Sequence, residues 1–276
     1  MGKEDLTPAP NDLGAVIALI QRLRGEDGCP WDRKQTPQSL TIYLIEEMYE
    51  LVDAISSGNA QAVCEELGDV VFQVLFLAEL FSETGIFDLD RVVAYNIEKM
   101  IRRHPHVFGE EKVASTAAVR ENWHAIKKQE QKANNADQAS LLDSIPASLP
   151  ALMRSYRVSE RAARTGFDWN DLAEVMAKVE EEWDEFKAAA HKVRDEASKE
   201  QAAVEFGDII FTLSNVARFM KFHPETALTA AINKFERRFR YMEDAFRRQG
   251  QELDGASREE MDRAWEDAKR QTVAPI

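Results

Sequence analysis

The chain has 276 residues, enough for one large domain or two of ordinary size, and 44% hydrophobic with 30% charged residues suits a packed core under a charged surface. A net charge of −14 disfavours a general DNA or RNA binder, because a phosphate backbone rewards clustered Lys and Arg, yet it leaves room for a small phosphate ligand in a local basic pocket. Cys29 and Cys64, in no metal-binding spacing, read as free thiols of a cytoplasmic protein, and the opening MGKEDLTPAPND holds no apolar run of the kind a secretory leader needs.

Apolar residues recurring at three and four define the elements. Leu13, Val16, Ile17, Ile20 and Leu23 form the first helical face. Thr36-Pro37 reads as an N-cap and first-turn pair that opens a helix to about residue 56. Gly58-Asn59 breaks the chain, and a second long helix runs to about residue 83. Its apolar run VVFQVLFLAELF, residues 70–81, contains Gln73 and Glu79 and is too short to span a bilayer, so a buried helix is expected and no membrane. Helices follow near 88–103 and 115–132. Residues 133–150, ANNADQASLLDSIPASLP, are small, polar and Pro-containing and read as a linker. Further helices are expected near 150–164, 170–193, 197–221, 224–249 and 257–270. No stretch alternates long enough to be a strand, so the expected class is all-α.

After the linker the pattern repeats. EEMYE at 46 matches EEWDE at 181, EELGDVVFQ at 65 matches VEFGDIIFT at 204, KMIRR at 99 matches KFERR at 234, and ENWHAIKKQE at 121 resembles RAWEDAKRQ at 263. The offsets are 135, 139, 135 and 142 residues, in one order. Two homologous helical-bundle units in tandem are therefore expected, 1–132 and 151–276.

The acids carry the sharpest signal. Glu47 and Glu50 share one helix face, and Glu66 and Asp69 share a face of the next helix. Glu50 and Glu66 each lie 8 residues from Gly58, and Glu47 and Asp69 each lie 11. In an antiparallel hairpin these pairs stand level, about 12 and 16 Å from the turn. Around Asp195 the same register recurs, with Glu185 and Glu205 each 10 residues away and Glu182 and Asp208 each 13. Four carboxylates at one level repel one another, and a hard divalent cation relieves the repulsion; all-oxygen ligands suit Mg²⁺, or Mn²⁺. Most acidic pairs on helices are solvated surface. Here Glu47 falls within the apolar series Leu44, Met48, Leu51, Ile55, and Gly68 and Gly207 stand just before each Asp, where a mid-helix glycine costs about 1 kcal/mol unless something approaches closely.

Basic and aromatic groups follow on later helices: Lys99, Arg102 and Arg103 in the first unit, Lys234, Arg237 and Arg238 in the second. Arg can fork onto phosphate oxygens and Lys supplies a point charge. Trp123 and Trp265 offer faces for a nucleobase, or for core packing. Lys178 lies one turn before Glu182, where it reaches a metal-bound phosphate; its first-unit counterpart is Tyr43. A ferritin-like di-iron bundle needs two Glu-x-x-His motifs, and only Glu121 to His124 is present.

EExxE (Glu46, Glu47, Glu50) followed by ExxD (Glu66, Asp69), repeated at Glu181, Glu182, Glu185 and Glu205, Asp208, resembles the MazG nucleoside triphosphate pyrophosphohydrolases. GCPWDRKQTPQSL at 28, RRHPHVFGE at 102 and SLLDSIPASLPALMRSYRVSERAARTGFDW at 140 carry the same resemblance. It implies an all-α fold related to the dimeric dUTP pyrophosphatases, an intertwined homodimer, and hydrolysis of a nucleoside triphosphate to the monophosphate and pyrophosphate. Carried over, it implies that Glu182, Glu185, Glu205 and Asp208 hold Mg²⁺, with Glu47, Glu50, Glu66 and Asp69 as first-unit equivalents. Lys178, Lys234 and Arg238 then contact phosphates and Trp265 lies near the base. Glu46 or Glu181 is the spare carboxylate for general-base work. A non-catalytic helical scaffold with relic acids is the rival reading.

Overall fold

The structure is a computed structural model that describes residues 12–110, 112–134 and 140–272. All regular elements among them are helical. The chain divides into two compact units, Met1–Asn134 and Asn135–Ile276.

The first unit contains α1 (Leu13–Arg24), α2 (Pro37–Ser57), α3 (Ala60–Glu83), α4 (Leu89–Arg103), the single-turn α5 (Pro105–Phe108) and α6 (Thr116–Asn134). Local chemistry sets the ends. Asp12 Oδ1 accepts from Ala15 N at 2.9 Å and caps α1. Thr36 and Ser39 form a reciprocal capping box with Pro37 in the first turn, as the Thr36-Pro37 pair predicts. Gly58 ends α2 at φ 70°, a left-handed conformation that glycine adopts without steric cost, and Asn59 caps α3 at once. The tight break makes α2 and α3 an antiparallel hairpin. The core lies where α1 and α2 meet α3: Ile20, Leu40, Leu75, Phe76 and Leu80 are buried together, with Val16, Ile17, Tyr43 and Phe72 packed around them.

The second unit contains α7 (Ala151–Ala163), α8 (Leu172–Ala190), α9 (Glu196–Phe219), α10 (Pro224–Arg248) and α11 (Arg258–Gln271). The α8–α9 hairpin repeats α2–α3, and Asp195, the pivot of the predicted register, is the N-cap of α9, boxed with Ser198. Ser198 hydrogen bonds hold the Asp195 carboxyl below the usual range. α7 packs on α9 as α1 packs on α3. Here the interior is more polar, with Ser159, Thr212, Ser214 and Asn215 buried beside Val175, Ile209 and Ala217.

Helix ends fall within a few residues of expectation. α6 runs to Asn134, two residues into the segment read as a linker, and residues 140–150 form turns. The single-turn α5 after His104 was not anticipated; His104 Nδ1 lies 2.6 Å from the Met100 carbonyl, a local role. The side chain of His124, in the lone Glu-x-x-His motif, lies outside the described residues. No helix among the described residues is long and apolar enough to cross a membrane.

Candidate metal and phosphate site

The hairpin geometry gathers acids in both units. Carboxylate oxygens of Glu47, Glu66 and Asp69 lie within 4.8 Å of one another, and so do those of Glu182, Glu185 and Glu205. In each unit three of the four predicted ligands cluster. The fourth differs: Glu50 in the first unit and Asp208 in the second stand outside the group. Both outliers are exposed, but so are Asp69 and Glu185 inside the clusters, so exposure alone does not separate them.

The first cluster shows the strain of uncompensated charge. Burial and then the neighbouring acids, Glu50 foremost, push the Glu66 carboxyl up. Glu47 is likewise raised, chiefly by burial, against a 3.5 Å hydrogen bond donated by Gln73 Nε2. Glu66 Oε2 is buried and accepts no hydrogen bond. An orphaned carboxylate oxygen beside two more carboxylates is a hard, all-oxygen donor set, which fits a divalent cation such as Mg²⁺ or Mn²⁺.

The MazG nucleotide pyrophosphohydrolase domain family matches residues 35–108. A nucleoside triphosphate pyrophosphohydrolase of Escherichia coli strain K12 is 42% identical over 95% of this chain and 99% of its own. The nucleoside triphosphate pyrophosphohydrolase/pyrophosphatase MazG of Thermotoga maritima is 41% identical over 92% of this chain and 94% of its own. The uncharacterised Bacillus subtilis protein YabN is 46% identical over 94% of this chain, which spans 52% of YabN. The chain belongs to the MazG family.

Within this MazG chain the second cluster is built differently from the first. Lys178 Nζ lies 2.9 Å from Glu182 Oε1 and 2.9 Å from Glu181 Oε1, so it is already paired with the acids rather than extended toward a phosphate. These bonds, to Glu182 first, push the lysine's pKa up. Glu182 is buried, and a buried carboxylate needs such a cation. Tyr43, at the matching place in the first unit, instead meets the Trp31 ring edge-on at 5.5 Å and joins the core. Glu46 and Glu181 are exposed and outside both clusters.

The basic groups also diverge. In the first unit Glu130 Oε1 accepts from Arg102 Nε at 2.6 Å, while its Oε2 accepts from Arg103 Nε at 3.0 Å and Nη2 at 2.6 Å. Arg103 additionally stacks over Trp123 at 5.2 Å. Glu130 was not singled out in the sequence, where it is one acid in a charged helix; its place one turn along the helix face from Lys127 and two turns from Trp123 was the available signal. In the second unit the same 142-residue offset puts Thr272 where the first has Glu130. There Arg238 stacks over Trp265 at 5.9 Å, and its buried Nε has no hydrogen-bond acceptor. Lys234 and Arg237 are exposed, and Lys99 lies over Tyr95 at 5.5 Å. Trp265 is held between Phe235 and Arg238.

Gly68 and Gly207 were expected to admit a close approach. A Cβ on either would meet no neighbouring atom within 4 Å among the described residues, so the space beside each is open.

Proposed function

We propose that this chain hydrolyses nucleoside triphosphates to the monophosphate and pyrophosphate by attack of water at the α-phosphorus, and that the second unit is the reacting site. The observation that carries the reading is the doubled acid cluster on opposed helices, in a chain whose relatives over nearly full length are named nucleoside triphosphate pyrophosphohydrolases. Glu182, Glu185 and Glu205, with Asp208 one turn on from Glu205, would hold Mg²⁺ or Mn²⁺. A cation bound there supplies charge neutralisation for phosphate oxygens and acidifies a water.

The protein's own groups do the rest by position and charge. Lys178 bridges Glu181 and Glu182 and, once a cation takes over Glu182, is available to a phosphate oxygen. Arg238, with an unpaired buried Nε, is directed by the Trp265 face, and Lys234 and Arg237 stand exposed on the same helix to meet the leaving pyrophosphate. Glu181, released from Lys178, is the carboxylate placed to take a proton from water; Glu46 is its first-unit equivalent.

The first unit favours a different role. With Tyr43 in place of the lysine and Glu130 closing on Arg102 and Arg103, it keeps the metal-ligand acids while both arginines are engaged and Lys99 lies over Tyr95. A homodimer is also part of the reading. Ile42, Ile45, Tyr49 and Val52 on α2, and Trp183 and Phe206 on α8 and α9, are all exposed, an apolar surface suited to a second copy.

The test is product analysis in H₂¹⁸O with each NTP or dNTP and Mg²⁺. Attack at the α-phosphorus puts ¹⁸O in the monophosphate. Label in pyrophosphate, or release of inorganic phosphate and diphosphate nucleotide, overturns the reading, as does full Mg²⁺-dependent turnover by Glu182→Gln, Glu205→Gln.

A further inference from the structure

The two acid clusters are alike in their carboxylates and differ in what accompanies them. In the second unit a lysine is already among them. Lys178 Nζ lies 2.9 Å from Glu182 Oε1 and 2.9 Å from Glu181 Oε1. The Glu181 arm, at a carboxylate 58% exposed, is screened by water and holds little. The Glu182 arm is different. It joins the ammonium to a carboxylate only 9% exposed, and breaking it leaves that carboxylate bare in a poor solvent for charge.

In the first unit Tyr43 stands at the place of the lysine and packs against Trp31 and the core. Glu47, the counterpart of Glu182, receives the amide of Gln73 at 3.5 Å, a long bond from a neutral donor. Glu66 Oε2 is buried and accepts nothing. The exchange is reciprocal. The matched stretches EELGDVVFQ and VEFGDIIFT put Thr212 where the first unit has Gln73, just as Lys178 replaces Tyr43. Each unit therefore sets one polar side chain on the acid of its leading helix, an amide in one case and an ammonium in the other.

This difference governs how easily a divalent ion enters. At the first cluster the ion displaces one long neutral hydrogen bond and gains close carboxylates. At the second it must draw Glu182 away from the ammonium or sit beside it, and like charges a few ångströms apart repel. Lys178 is a tethered competitor for the same oxygens. A triphosphate changes the balance, because its oxygens receive the displaced ammonium in place of Glu181 and Glu182. Metal and nucleotide then favour each other's binding, by the same factor in either order.

We propose that Lys178 ties divalent-ion uptake by the second unit to the arrival of the triphosphate, whereas the first unit, with Tyr43 and Gln73, takes up the ion on its own. The first-unit ion is then resident, and the second-unit ion enters and leaves with the nucleotide. This rests on the pyrophosphohydrolase reading and adds the order of loading to it.

The test counts ions bound to the full chain by equilibrium dialysis against radioactive Mn²⁺, with and without α,β-methylene ATP, whose α–β bridge resists hydrolysis. Without the analogue the wild-type chain should bind one ion tightly, removed by Glu66→Gln and kept in Glu205→Gln. With the analogue a second ion should bind, and Glu205→Gln should remove it. In Lys178→Met the second site should fill without nucleotide, about tenfold more tightly than in the wild type, and the help given by the analogue should shrink by a similar factor. Two ions bound equally by the nucleotide-free wild type overturn the proposal. So does a nucleotide-free chain that binds none, or a folded Lys178→Met chain whose second site still waits for the analogue. If Lys178→Met does not fold, Lys178→Gln removes the charge and keeps a polar end, and if that also fails the wild-type count decides. Pyrophosphate release from ATP is scored separately. Ordered uptake without release retires the proposed reaction and keeps the linkage, whereas release by a chain whose two sites fill alike retires the linkage alone.

Discussion

Glu130 is the residue whose removal separates the two units most directly. Its carboxylate receives three N–H bonds, one from Arg102, whose side chain is 52% exposed, and two from Arg103, which is 14% exposed. The exposed arm adds little, because water screens it. The Arg103 arm is charge-assisted and shielded, and Glu130→Gln leaves that guanidinium without its counter-ion, a cost of about 2 kcal/mol. For a unit of this size that is about 8 °C in the melting temperature of its transition, read by calorimetry at pH 7. The pH dependence has a defined sign. Hydrogen bonds from Arg103, then Arg102, hold the folded-state pKa of Glu130 below its ordinary value. Its contribution is therefore present above the unfolded pKa and is lost as pH falls through the folded one, so the wild-type and Gln curves converge in acid. The substitution also unmasks Arg102 and Arg103, and tripolyphosphate should then stabilise the first unit measurably. Equal melting of the two proteins at pH 7, or no gain in anion binding, refutes the clamp.

Glu66→Gln tests the first acid cluster. Glu66 and Glu47 have folded pKa values above their ordinary ones, so metal-free stability should fall as pH rises from the unfolded toward the folded values; the variant flattens that fall and abolishes stabilisation of the first unit by Mg²⁺ in a thermal-shift titration. Lys178→Met strips buried Glu182 of its cation, so the metal-free protein should melt lower, the shift produced by Mg²⁺ should grow, and turnover should be lost. Gly207→Ala, at a position with open space, should raise stability by about 1 kcal/mol through helix propensity, and should lower turnover if substrate approaches that surface.

Much of this architecture is legible in the residues. Periodicity places the helices, Thr36-Pro37 and Gly58-Asn59 set the ends of α2 and α3, and counting from the turn puts Glu47 level with Asp69. What a linear count does not contain is side-chain direction. It makes Glu50 and Asp208 equal to their neighbours, whereas a different three of the four acids draw together in each unit. It likewise presents Lys178 as reaching for a ligand, when the nearest negative charge is on its own helix, at Glu181 and Glu182. Glu130 is hidden for a similar reason: pairing across α4 and α6 depends on packing between helices, not on spacing within one.

The two units have different interiors around similar helical hairpins. A cluster of close carboxylates, an arginine with an unpaired Nε and a buried hydroxyl without a partner are each unfavourable to an isolated bundle of this length. The first unit removes two of the three: Phe76 and Ile20 pack its core, and Glu130 satisfies the arginines. It keeps the acids, which a divalent cation can relieve. The second unit differs at Ser159 and Asn215, small polar residues in a buried setting, and at Arg238, whose Nε lacks an acceptor, whereas its Lys178 pairs with Glu181 and Glu182.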